Sequence, residues 1–100
     1  MPDSEHDRIA RRIAARDRTE YNPGEGPDVQ TGRGVTEVES DPSGIPDAIR
    51  QLRGFGKPRY IAGPKPVVDA ALKATGNTKI GVRDDKGNII KPAQRPARKR

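Results

Sequence analysis

Apolar residues recur at helical intervals in three stretches of this chain and alternate with polar ones in the segments between them. Ile9, Ala10, Ile13 and Ala14 share one helical face, and Ser4 with Asp7 has capping-box-like spacing just ahead of them. Glu5 and Asp7 add negative charge to the positive first turn. The pattern predicts a helix over residues 4–17, with Arg8, Arg11, Arg12, Arg16 and Arg18 on its solvated surface. The Pro23, Gly24, Gly26, Pro27 cluster then forbids regular structure and delivers the chain into an extended Asp28-Val29-Gln30-Thr31. Gly32-Arg33-Gly34 reads as a hairpin turn, and Val35 to Ser40, β-branched at Val35, Thr36 and Val38, is the clearest strand. Asp41-Pro42-Ser43-Gly44 ends it.

A second helix is predicted over 45–53, capped by Ser43 or Gly44 and stopped by Gly54, with Ile45, Ala48, Ile49 and Leu52 as its buried stripe. Tyr60-Ile61-Ala62 fits a short interior strand. Pro66 opens a third helix over 66–75, with Val67, Val68, Ala71, Leu72 and Ala74 as its apolar surface. Segments 79–83 and 88–91 flank Asp84-Asp85-Lys86-Gly87, a hairpin signal because Gly tolerates positive φ. The alternation reads as an α/β domain of order αββαβαββ, a small mixed sheet flanked by helices. Residues 1–91 form that single domain, followed by a disordered basic tail over 92–100.

Composition narrows the function. Hydrophobic residues make up 30% of the 100, against roughly 45–50% in ordinary globular chains, and 11 Gly with 10 Pro enlarge the loops. A large buried cofactor pocket is not expected, and a homodimer would supply apolar burial that so small a core lacks. Zero Cys and one His exclude disulfides, a catalytic thiolate and paired-histidine zinc motifs. Without a long apolar run the chain reads as cytoplasmic, with no membrane partner. The net charge is +6, but five of the 20 basic residues lie in 91–100, which leaves 15 against 14 acids in the body. Arg95, Arg98, Lys99 and Arg100 read as a phosphate-attracting tail, with a solubilising terminus as the alternative.

Chemistry concentrates where a strand presents carboxylates to one side. Glu37 and Glu39 share a strand face with Val35, while Thr36 and Val38 take the other. If Asp28 meets Glu37 across the hairpin, repulsion between them is relieved by a hard divalent cation, Mg²⁺ or Mn²⁺, able to activate water at a phosphate. The alternative is an acidic, solvated edge strand. His6, in a polar helix start, reads as a surface or capping residue. Gly54-Phe55-Gly56-Lys57 lacks phosphate-loop spacing, since Pro58 takes the hydroxyl position. Phe55 and Tyr60 read as core, and Tyr21 as the exposed aromatic fit to stack on a base.

Gly26-Pro27-Asp28-Val29, followed nine positions after Asp28 by Glu37-Val38-Glu39-Ser40, between an amphipathic helix and a helix bearing Gln51, resembles the PD-(D/E)XK nuclease superfamily. Residues 5–62 look most like archaeal-type Holliday-junction resolvases and related small restriction-endonuclease-like proteins. The resemblance implies that Asp28 and Glu37 are metal ligands, with Val38 contributing its backbone carbonyl. Glu39 stands where the family usually has Lys, and can serve there as a ligand or general base. Gln51 matches a helix Gln that touches the site in several branches. Glu5 and Glu20 compete for a further acidic position; Glu5 fits by its place on the first helix, Glu20 by its nearness to Asp28. The expectation is a Mg²⁺-dependent endonuclease without a small-molecule cofactor. It would hydrolyse DNA phosphodiester bonds, with duplex, flap and junction all open as substrates and branched structures among them, and with Arg33, Lys57, Arg59 and the tail on the backbone. The alternative is a non-catalytic nucleic-acid-binding or protein-interaction module on the same fold.

Overall fold

The computed structural model describes residues 4–23 and 26–94. Among these, three α-helices and five strands follow one another as α1 (Glu5–Arg16), β1 (Val29–Thr31), β2 (Gly34–Val38), α2 (Ile45–Leu52), β3 (Arg59–Ala62), α3 (Lys65–Thr75), β4 (Gly81–Arg83) and β5 (Ile89–Lys91). The strands lie in one sheet in chain order. The β1–β2 and β4–β5 pairs are antiparallel hairpins, and β2–β3 and β3–β4 are parallel, each bridged by a helix. The mixed α/β sheet flanked by helices agrees with the sequence reading.

Two crossovers of the same hand, made in the same direction across the sheet, must put their helices on one face. Accordingly α2 and α3 pack together over Val35, Ile61 and Val82. Helix α1 covers the opposite face, where Ile9, Ala10, Ile13 and Ala14 meet Val29, Val38 and Ala62. Val35 and Val38 therefore face opposite layers, as strand alternation requires. Ser4 Oγ accepts the Asp7 N–H at 3.1 Å and caps α1. A 3₁₀ turn at Pro42–Gly44, started by Asp41 accepting the Ser43 N–H, leads into α2, whose N-cap is Gly44. On α3, Thr75 rather than Ala74 is buried; its hydroxyl donates to Ala71 O at 2.7 Å, while Ala74 is exposed.

One helix cannot cover a face that two cover opposite, and a buried cation secures the end of α1. Arg83 of β4 donates to both Asp17 oxygens at 2.8 Å, to Thr36 Oγ1 at 3.0 Å and, through Nε, to Gly87 O at 3.0 Å. Gly87 reaches the last of these with φ at 88°, a conformation that favours glycine. The ordered body also runs past residue 91: the Gln94 N–H donates to Lys79 O at 2.8 Å. The start of the expected tail is thus anchored, and residues 95–100 lie outside the described part. No helix of the described residues is long and apolar enough to cross a membrane.

Candidate functional site

The β1–β2 register pairs Val29 with Thr36. One step further along an antiparallel pair places Asp28 beside Glu37. The contacts agree: the Asp28 N–H donates to Glu37 Oε1 at 3.3 Å, and Asp28 Oδ2 accepts the Val38 N–H at 2.9 Å. Both residues are buried, Asp28 at 8% and Glu37 at 6% exposure, which is costly for carboxylates without a matching charge. Burial, reinforced by the negative charges of Asp28 and Glu39, pushes the Glu37 carboxyl up to about 8. Glu39 is half-buried and pushed up to about 7, chiefly by burial, with Asp28 and Asp47 adding repulsion and His6 opposing it. Its side chain lies over Gly44, where any Cβ would collide with Oε1.

The imidazole of His6 enters this group from the first turn of α1. Nε2 lies 3.1 Å from Asp28 Oδ2, and Nδ1 lies 3.4 Å from the Tyr21 hydroxyl and 3.7 Å from Asp7 Oδ1. Tyr21 donates to Asp7 Oδ1 at 2.7 Å, which lowers the Asp7 carboxyl; burial together with that bond pushes the Tyr21 phenol up to about 12. The Arg11 guanidinium lies 5.7 Å from the centroid of the Tyr21 ring. Two sequence readings change here. His6 is a contact of the acidic site, not a mere surface or capping residue. Tyr21 is half-buried and committed to Asp7 and His6, so it is not an exposed stacking platform. Neither was legible locally, because helix and loop meet only after α1 docks on the sheet.

The remaining sequence-predicted residues are dispersed. Glu5, one position before His6, is exposed, as is Glu20. Gln51 is exposed on α2, one turn beyond Asp47, on the same side of the helix. Val38 is fully buried against α1. Of the expected DNA-contacting cations, Lys57 donates to Thr31 O at 3.0 Å, and half-buried Arg59 directs one guanidinium nitrogen to Leu52 O while its buried Nε has no partner in the described residues. Arg33 is exposed in the β1–β2 turn; Arg95, Arg98, Lys99 and Arg100 lie outside the described residues.

The donor chemistry fits a hard cation, since Asp28 and Glu37 are adjacent, buried and mutually repelling, and a divalent ion answers that imbalance. Among the described residues, however, no group of three or more His, Asp or Glu side chains is arranged to hold a metal ion. No protein-family model matches this chain, and no curated protein or solved structure is significantly similar to it.

Proposed function

We propose that this protein is a Mg²⁺- or Mn²⁺-dependent nuclease of restriction-endonuclease-like type, hydrolysing DNA phosphodiester bonds at branched structures. The observation that carries the reading is the buried pairing of Asp28 with Glu37, whose carboxyl is pushed far above its ordinary range by burial and by the negative charges of Asp28 and Glu39. Residues that serve only solubility do not collect where their charge is least tolerated. The resemblance of Pro27-Asp28 and Glu37-Val38-Glu39 to the superfamily motif supports the same reading, as does the hairpin register that brings Asp28, just before β1, beside Glu37 of β2.

In this proposal Asp28 and Glu37 would hold the cation, with the Val38 carbonyl as a further donor. Bound there, the ion supplies Lewis acidity to a phosphate and lowers the pKa of water. Glu39, with a carboxyl at about 7, is matched to proton exchange near neutral pH in place of the usual lysine. His6 lies against Asp28 and orients it. A second reading, the non-catalytic binding module on this fold, is favoured by Glu39 at the lysine position and by the imidazole already on Asp28 Oδ2.

The test is cleavage of labelled linear duplex, single strand, flap and four-way junction with Mg²⁺ or Mn²⁺, comparing the wild type with Asp28→Asn and Glu37→Gln. Metal-dependent cutting lost in both variants is the expected result. DNA binding without cutting, unchanged by either substitution, favours the binding module.

A further inference from the structure

The sheet face that α1 leaves uncovered forms an open cavity of about 630 Å³. It lies past the C-terminal end of α1, whereas His6 and the carboxylates lie at its N-terminal end. The 12 residues of that helix set its two ends about 18 Å apart, and on β2 the cavity is lined by Thr36, whose side chain points to the opposite sheet face from that of its neighbour Glu37. The volume falls within the usual range for small-ligand sites.

The lining combines two chemistries. Tyr60, half-buried, and Ile89, 56% exposed, give an aromatic and an apolar wall, and the Arg83 guanidinium lies 5.7 Å from the centroid of the Tyr60 ring. Arginines 16, 18 and 33 line it as well, and Asp17 is the only acid among the lining residues. That carboxylate is already neutralised by Arg83. Arg16 bonds to the neutral acceptors Lys86 O and Asn88 Oδ1 and also faces Asp84, so the charge least committed elsewhere is that of Arg18 and Arg33.

Arg18 adds an independent observation. The Thr19 N–H donates to Ala14 O, closing α1 with Arg18 as the left-handed residue after the helix, at φ 60°. Glycine is the ordinary occupant of that position, and a side chain there is strained. The chain thus sets a guanidinium at the rim of the cavity where its own backbone favours a residue with none.

We propose that this cavity binds a nucleotide unit, with the base against Tyr60 and Ile89 and the phosphate on Arg18 and Arg33. Guanidinium forks match phosphate oxygens, and an aromatic face accepts any base. The unit is either a free mononucleotide or one residue of a single strand. This inference does not rest on the nuclease reading.

The experiment is calorimetric titration of the full chain with adenosine 5′-monophosphate, adenosine, inorganic phosphate and an eight-nucleotide thymidine strand. Arg18→Gly, Tyr60→Leu, Tyr60→Phe and Asp69→Asn are run in parallel. Arg18→Gly removes the charge and relieves the backbone, so its melting temperature is unchanged or raised while nucleotide affinity falls at least about tenfold. Tyr60→Leu also weakens binding, and Tyr60→Phe and Asp69→Asn, the latter on an exposed face of α3, leave it intact. Monophosphate binding with adenosine and phosphate at least tenfold weaker identifies a free nucleotide as sufficient. Binding of the strand alone, lost in Arg18→Gly and Tyr60→Leu, identifies a strand residue. Three results overturn the proposal: neither nucleotide nor strand binds, phosphate binds as well as the monophosphate, or Arg18→Gly leaves affinity unchanged.

Discussion

Asp28 sends its backbone N–H to Glu37 Oε1 at 3.3 Å and receives on Oδ2 the N–H of Val38, the residue after Glu37, at 2.9 Å. The two carboxylates are thereby held at a fixed separation by the hairpin itself. Because backbone N–H groups supply both links, the two carboxyls stay close, and the repulsion is met by Glu37 keeping its proton, its carboxyl being pushed up to about 8.

Stability of the metal-free protein should fall as pH rises. Glu37 titrates at about 8 in the folded chain against 4.5 ordinarily, so its protonated form is favoured by folding. That contribution is complete below about pH 4.5 and is lost as pH rises through about 8. Relaxation around the ionised carboxylate offsets part of it, leaving a loss on the order of 1–2 kcal/mol. Urea denaturation at pH 5.5, 7 and 8.5 should show the decline in wild type, a flatter profile in Glu37→Gln, and recovery on adding Mg²⁺ at pH 8.5. Superimposable profiles for the two proteins would remove the electrostatic argument for the site.

His6→Ala should separate metal binding from turnover. With the imidazole gone, Asp28 Oδ2 loses a competing contact and Mn²⁺ affinity should rise a few-fold. Cleavage should nevertheless drop by about tenfold or more, as Asp28 loses its orienting partner. Mn²⁺ titration followed by calorimetry, together with single-turnover cleavage, reads both. Loss of affinity in step with loss of cleavage would make His6 a ligand instead.

Gly44→Ala tests how Glu39 is held. The added methyl would occupy the place of Glu39 Oε1, the far end of a flexible side chain, while the Gly44 backbone at φ −81° accepts alanine. The carboxylate should swing toward water at a cost below about 1 kcal/mol in stability. Its pKa should drop from about 7 toward the ordinary range, measured by carboxyl carbon chemical shift against pH. An unmoved titration curve would mean that Glu39 is held by other contacts.

Asp17→Ala should be far more damaging than a surface charge deletion. It strands the Arg83 guanidinium, whose side chain is 8% exposed, without its counterion. Breaking one partner of such a pair costs about 3–5 kcal/mol. Chemical denaturation should report that loss, whereas Asp69→Ala, which breaks the exposed Lys65 pair, should change stability by less than about 0.5 kcal/mol.

The elements themselves were readable along the chain, because helical spacing, caps and breakers are local properties. Ser4 marks a boundary through its capping hydroxyl and Gly87 through its positive φ, and the Val35/Val38 alternation assigns opposite faces of β2 before any packing is known. The same alternation, with a tight turn at Gly32, predicted that Asp28 could meet Glu37. What no local pattern contains is which distant groups converge once layers stack. His6 reaches Asp28, and Arg83 reaches Asp17, across 22 and 66 positions. Tyr60 borders a cavity only because α1 covers part of its face. These relationships depend on where α1 docks and where it ends, which is decided by the balance of buried surface over the whole sheet. Sequence therefore determined the parts and made the pairing of two carboxylates one of two open arrangements; tertiary packing decided that pairing, its depth, its imidazole neighbour and the basic cavity past the far end of α1.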